Sequence, residues 1–378
     1  MSAGEPRGAV LDERKRIAAA IRDYIARERM SREQFAFRTK LGKSTVDKLL
    51  VGLFSERTLS IVEAHTPLKL RSILAEAGPR AALSPASAQP PRNHEVGFCR
   101  ARDGTRLAMA CVGAGDVLVK TANWLTHVEF DWASPVCAPL LEALSRDHRL
   151  IRYDARGTGL SDREVGESIT FETFLGDLEA VVEAAGAGSF SLFGMSQGAA
   201  VAIAYAARHP ERVRRLVLLN GYAQGRNRRG SEIEMEQARA MLTLMRSGWG
   251  DEHSAFMQAF SSIYLPKGSR EQIGWFSELQ WRTESPENAV RIRRACDEID
   301  VIDLMPLIRA PTLVLHSRYD NVVPFEQGRL IAAAIPGARL VSLESDNHAV
   351  LKGEPAWDRM VAEIGQFLRP PDTGRDLG

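Results

Sequence analysis

The chain has 378 residues, more than one hydrophobic core usually organises, so two domains are expected. Hydrophobic residues make up 44% and charged residues 26%, ordinary for a globular protein, and no apolar run reaches the roughly 18 residues that a membrane-spanning helix needs. Net charge is +1 but uneven: residues 1–80 hold 16 Lys and Arg against 10 Asp and Glu, whereas the remainder holds 33 against 38.

The first residues, MSAGEPRGAVLDERKR, lack the apolar centre of a signal peptide, and the four cysteines (Cys99, Cys111, Cys137, Cys296) have no CxxC spacing. A cytoplasmic protein with reduced thiols, no membrane partner and no metal is predicted. Residues 10–78 read as consecutive short helices. Ser31 is placed to cap one, with Glu33 and Gln34 in its first turn and Phe35 toward the core. A turn at Lys40-Leu41-Gly42 leads to KSTVDKLLVG, whose Val46, Leu49 and Leu50 form an apolar stripe. Thr58 is expected to cap the next helix. This head resembles a phage-repressor-like (Cro-like) helix-turn-helix domain. The resemblance implies double-stranded DNA as a partner, read by the outward Lys43, Ser44, Asp47 and Lys48, and a homodimer, because one such module supplies few contacts. The other reading of the basic head is a small helical interaction or dimerisation domain with a solvated surface.

From Arg80 to Arg92 the run RAALSPASAQPPR is rich in Ala, Ser and Pro and has no periodicity, which predicts a linker over 80–95 between a head at 1–79 and a body at 96–378. In the body, strands are predicted at 96–102, 106–112, 116–121, 149–153, 189–193, 215–220, 311–317 and 338–343. Helices are predicted near 134–146, 171–185, 197–208, 326–335 and 355–368. Such alternation specifies an α/β fold with a mostly parallel sheet covered on both faces. Residues 222–306 break it with helical patterns alone, long enough for a lid. Trp249, Trp275, Trp281, Phe256, Phe260, Tyr264 and Phe276 fall here, either as walls of an apolar pocket or as the lid's own core.

Between the strand SFSLF and a long apolar helix stands Gly194-Met195-Ser196-Gln197-Gly198, a G-x-S-x-G turn that exposes its serine at a helix start. A serine hydroxyl needs a base, and His348 follows the last predicted strand. Asp320, in the turn HSRYDNVVP, supplies the orienting acid, with Asp346 as a rival two residues before the histidine. The order is serine, acid, histidine.

At this point the chain resembles the α/β-hydrolase superfamily over about 96–368. LIRYDARGTGLSD, APTLVLHSRYDNVVP and ESDNHAVL look like segments of its cap-bearing members. ANWLTHVEFDW resembles bacterial hydrolase domains fused to DNA-binding or nucleotide-cyclase modules. The resemblance implies an eight-stranded fold and acyl transfer by Ser196, His348 and Asp320 without a cofactor. Where the family usually has His-Gly, this chain has Asn123-Trp124. The N–H groups of Leu125 and Gln197 are then the implied oxyanion donors, with Asn123, Trp124, His127 and Met195 lining the ligand site. The expected protein is a DNA-binding regulator whose second domain binds and hydrolyses a small ester, lactone or amide. The alternatives are a plain esterase and a silent hydrolase-fold receptor.

Overall fold

The computed structural model describes residues 7–28, 30–50, 54, 56–68, 70, 91, 93–166, 169–250 and 254–369. It divides into two units, 1–84 and 85–378. The predicted linker falls outside the described residues up to residue 90 and again at 92.

In the first unit α1 (Arg7–Arg27), α2 (Arg32–Thr39), α3 (Lys43–Leu50) and α4 (Glu56–His65) follow one another. Ser31 starts α2: its Oγ accepts from Gln34 N at 3.1 Å while Gln34 Oε1 accepts from Ser31 N at 2.7 Å. The helix stops at Lys40, whose φ of 55° is left-handed, and Leu41 N then donates to Ala36 O. Phe35, Val46, Leu49, Leu59 and Val62 close a small core with Ile17, Ile21 and Tyr24. Lys43, Ser44, Asp47 and Lys48 are exposed, although Lys43 pairs with Glu33 at 2.8 Å and Asp47 with Arg32 at 3.5 Å. Thr58 does not stand at a helix start: α4 already begins at Glu56, so Thr58 occupies its third position.

The second unit is an eight-stranded sheet in the order β1-β2-β4-β3-β5-β6-β7-β8. Its strands are β1 (Glu95–Arg100), β2 (Arg106–Val112), β3 (Asp116–Lys120), β4 (His148–Tyr153), β5 (Phe190–Met195), β6 (Val213–Leu219), β7 (Thr312–Ser317) and β8 (Arg339–Leu343). All eight lie within two residues of their expected bounds. The pairs β1–β2 and β2–β4 are antiparallel and every other pair is parallel. Alternation along the strands sends Val217, Leu219, Leu313 and Leu315 to one face, under α5 (Ala138–Ser145) and α13 (Pro355–Leu368). Leu216, Leu218 and Val314 point to the other, under α6 (Phe171–Ala184), α7 (Gln197–Arg208) and α12 (Phe325–Ala334). Parallel strands buried on both faces need apolar residues at consecutive positions, which is why LVLL and TLVL read as continuous runs.

Between β6 and β7 come α8 (Glu232–Gly248), α9 (Ala255–Tyr264), α10 (Arg270–Thr283) and α11 (Pro286–Asp297). Serines cap each of them: Ser231, Ser254, Ser269 and Ser285 accept from a backbone N–H three residues on. No described helix is long and apolar enough to cross a membrane.

Candidate active site

The turn from β5 into α7 is tight because two glycines allow it. A Cβ on Gly194 would lie 2.7 Å from Ala199 Cα, and one on Gly198 2.5 Å from Ala122 O. Between them Ser196 is held at φ 53° and ψ −129°, a conformation that non-glycine residues adopt only under strain of about 1–3 kcal/mol. That conformation presents the side chain at the C-terminal edge of the sheet and leaves the N–H of Gln197 at the open end of a helix.

Ser196, Asp320 and His348, far apart in sequence, meet here and are all buried. His348 Nε2 lies 2.9 Å from Ser196 Oγ, and His348 Nδ1 lies 2.6 Å from Asp320 Oδ2. With its proton on Nδ1, the ring donates to the carboxylate and accepts from the hydroxyl. Asp320 Oδ1 accepts from Val322 N at 2.7 Å and Val323 N at 3.1 Å. Burial pushes the Asp320 carboxyl up, but the imidazole and these two amides outweigh it, so its pKa lies below the ordinary value. Asp346 makes no contact with the imidazole among the described residues; Asp320 does.

Asn220, just past β6 at φ 46°, ties the loops together. Its Oδ1 accepts from Ser317 N at 2.7 Å, and its Nδ2 donates to His348 O at 2.6 Å. The lid contributes too, since His348 N donates to Tyr264 O at 2.9 Å and the Tyr264 ring meets the imidazole edge-on at 5.5 Å. Sequence reasoning missed Asn220; a buried polar residue ending an apolar strand was its one signal.

Two cavities open onto Ser196. The first, about 790 Å³ with its open mouth, is lined by Asn123, Trp124, Leu125 and Met195, by Tyr264 and Phe276 of the lid, and by apolar residues of α5 and α13. The second, about 390 Å³, is lined by Gln197, Trp124, Tyr264 and three arginines. Leu125 and Gln197 thus flank the nucleophile, and neither backbone N–H donates to any described residue. Both readings of the lid aromatics hold in part. Tyr264 and Phe276 line a cavity, while Trp249 and Phe260 pack against each other and against Trp124.

His127 does not line either cavity. Its Nδ1 accepts from Phe130 N at 3.1 Å and so caps the 3-10 turn Phe130–Ala133. Lys120, which sequence reasoning missed, ends β3 inside the first cavity. It donates to Asn123 Oδ1 at 2.5 Å, and burial lowers its pKa to about 8.

Comparison with known proteins settles the family. Two family models match, one described as alpha/beta hydrolase fold over residues 130–251 and one as TAP-like protein over 289–375. A putative carbamate hydrolase RutD from Azorhizobium caulinodans is 31% identical over 219 residues, covering 56% of this chain and 78% of that protein. The chain belongs to the α/β-hydrolase superfamily. A pyrrolizixenacetamide deacetylase from Xenorhabdus hominickii is 29% identical over 239 residues, 62% of this chain and 85% of that protein. Among solved structures, the enol-lactonase from Burkholderia xenovorans LB400 superposes with a TM-score of 0.58 at 25% identity, covering 72% of this chain and 99% of that one. The chain is a serine hydrolase of this α/β fold.

In this α/β-hydrolase one buried acid sets a pH dependence of stability. Asp154 Oδ2 accepts from Leu160 N at 2.9 Å and Val128 N at 3.2 Å, while its Oδ1 has no partner among the described residues. Burial, the largest cause, raises its pKa to about 7. The folded state therefore holds the proton more tightly than the unfolded chain, so this contribution is complete below about pH 4 and is lost as pH rises through about 7. Asp154→Asn keeps an acceptor for both amides and removes the charge. Its melting temperature is expected to fall less than the native protein's between pH 5 and pH 8, over which the native protein loses at most about 3 kcal/mol of stability from this group. Parallel melting curves across that range contradict this account.

Proposed function

We propose that Ser196, His348 and Asp320 carry out acyl transfer on a small ester, lactone or amide. His348 takes the Ser196 proton as the hydroxyl oxygen attacks the substrate carbonyl. The resulting oxyanion is held by the N–H groups of Leu125 and Gln197. His348 returns the proton to the leaving group, and water then hydrolyses the acyl-enzyme with the same base. The observation that carries the reading is the hydrogen-bonded chain from Asp320 through the imidazole to the hydroxyl, at 2.6 and 2.9 Å. The lining of the first cavity by Leu140, Leu141, Val350 and Met360 favours an apolar acyl part. Nitrophenyl esters of two to eight carbons, a lactone and an anilide are the test series. Turnover is expected for the esters, and no hydrolysis above buffer in the whole series would favour a silent receptor.

A second reading concerns the head. The exposed Lys43, Ser44 and Lys48 on α3, after a left-handed turn at Lys40, favour a DNA-reading helix in a cytoplasmic homodimeric regulator. Affinity for random duplex DNA should then fall at least about ten-fold between 50 and 200 mM salt, as counterion release from only two phosphate contacts already requires. A flat response leaves the helical interaction domain.

A further inference from the structure

The second cavity collects positive charge beside the nucleophile. Arg226 lies in the 3-10 turn Arg226–Arg228 after β6, with Arg229 just behind it, and Arg293 comes from α11. Two of the three guanidinium groups are matched inside the protein. Arg293 Nε lies 3.2 Å from Asp297 one turn along its helix, and Arg229 reaches Glu234 at 3.0 Å and Gln224 O at 2.9 Å. Arg226 makes no hydrogen bond or ion pair with any described residue. Burial, reinforced by the neighbouring Arg293, lowers its pKa to about 10, while Asp297 and Tyr264 act weakly in the other direction. Gln197 Oε1, in the same cavity, is buried without a partner; as an acceptor it calls for a donor such as a substrate N–H or O–H and takes no part in holding an anion.

Arg226 is half-buried, so its guanidinium still meets water, and of the three arginines lining this cavity it is the one whose donors are all unused by described residues. The surplus is one positive charge, which fits a monoanion better than a phosphate dianion. The guanidinium fork matches a planar carboxylate. The largely apolar first cavity also opens onto Ser196 and shares Trp124 and Tyr264 with the second. We propose that the second cavity is a carboxylate-recognition subsite: the substrate carries a carboxylate on the part that extends past Gln197 toward Arg226, with its apolar part in the first cavity. This deepens, and rests on, the acyl-transfer reading of Ser196.

The test uses esters matched in shape and differing in charge. On the leaving-group side these are 4-(hexanoyloxy)benzoate and its neutral amide, 4-(hexanoyloxy)benzamide. On the acyl side they are nitrophenyl monoadipate and its methyl ester. In one of the two pairs the carboxylate is expected to be favoured at least about ten-fold in kcat/KM, mainly through KM. Arg226→Met should erase that ratio, and Arg226→Lys, which keeps the charge without the fork, should leave part of it. Arg226→Gln serves as a second neutral variant if the methionine variant unfolds. Hydrolysis of neutral and charged esters at equal kcat/KM in both pairs overturns the subsite and leaves the hydrolase intact. If no ester is turned over, Ser196→Ala is melted with 4-hydroxybenzoate and with 4-hydroxybenzamide. A rise in Tm specific to the carboxylate, and lost with Arg226→Met, keeps the subsite while the hydrolase reading fails. No such rise overturns the subsite as well.

Discussion

Ser196→Ala is expected to lower ester turnover by about four to six orders of magnitude while leaving the melting temperature close to native. The serine supplies the bond-forming oxygen, and the residual rate comes from substrate binding and the two N–H donors alone. The three side chains act as one unit, so their losses should not add. His348→Ala in the Ser196→Ala background should cost almost nothing more, because a base without a nucleophile has no proton to move. Removing the hydroxyl is not expected to relieve the backbone strain, because alanine, like serine, carries a Cβ that disfavours the φ of 53° held here. The check is a nitrophenyl ester assay on the native protein, both single variants and the double variant. Equal rates in native and Ser196→Ala protein would place the chemistry elsewhere.

Asp320→Asn is expected to have the next largest effect, about three to four orders of magnitude in kcat with little change in KM. Asparagine fits the same space and can still accept from the N–H groups of Val322 and Val323. Toward His348 it offers an amide that favours the wrong tautomer, with the proton on Nε2, where it blocks acceptance from Ser196. The imidazolium formed during attack also loses its counter-charge 2.6 Å away. The readout that separates positioning from folding is the pH profile: the variant should remain folded and recover activity only at high pH. A loss of less than ten-fold would shift the acid's role to another carboxylate.

Most strands were legible because they are short apolar runs bounded by Gly, Pro or charged residues, and the sheet leaves such runs no other place; β1, EVGFCR, is largely exposed and was legible only through its pairing partner β2 next in sequence. The triad was legible for a different reason. A strand, a G-x-S-x-G turn and a helix fix where Ser196 stands, and the ends of β7 and β8 deliver Asp320 and His348 to the same sheet edge. Residues placed by the lid were not legible. In RIRRACDEID, three arginines sit within four positions, and only the packing of α11 decides that Arg293 is buried while Arg294 is exposed. Arg226 reads in sequence as one more basic residue of a polar loop. Lys120 ends an apolar strand, where a lysine usually marks the sheet's solvent edge, yet it faces the α5–α13 side together with Leu118. His127 erred the other way, since a histidine near a catalytic loop suggests chemistry while its ring caps a turn.

The central claim is that Ser196 is a nucleophile activated by His348, and covalent trapping tests it without any knowledge of the substrate. The full-length protein is treated with a small fluorophosphonate and its intact mass is followed over time. One adduct is expected, mapped by peptide sequencing to Ser196, absent from Ser196→Ala and formed at least about a hundred-fold more slowly in His348→Ala. An unlabelled Ser196 in folded protein, or labelling at the same rate without the imidazole, would contradict the account.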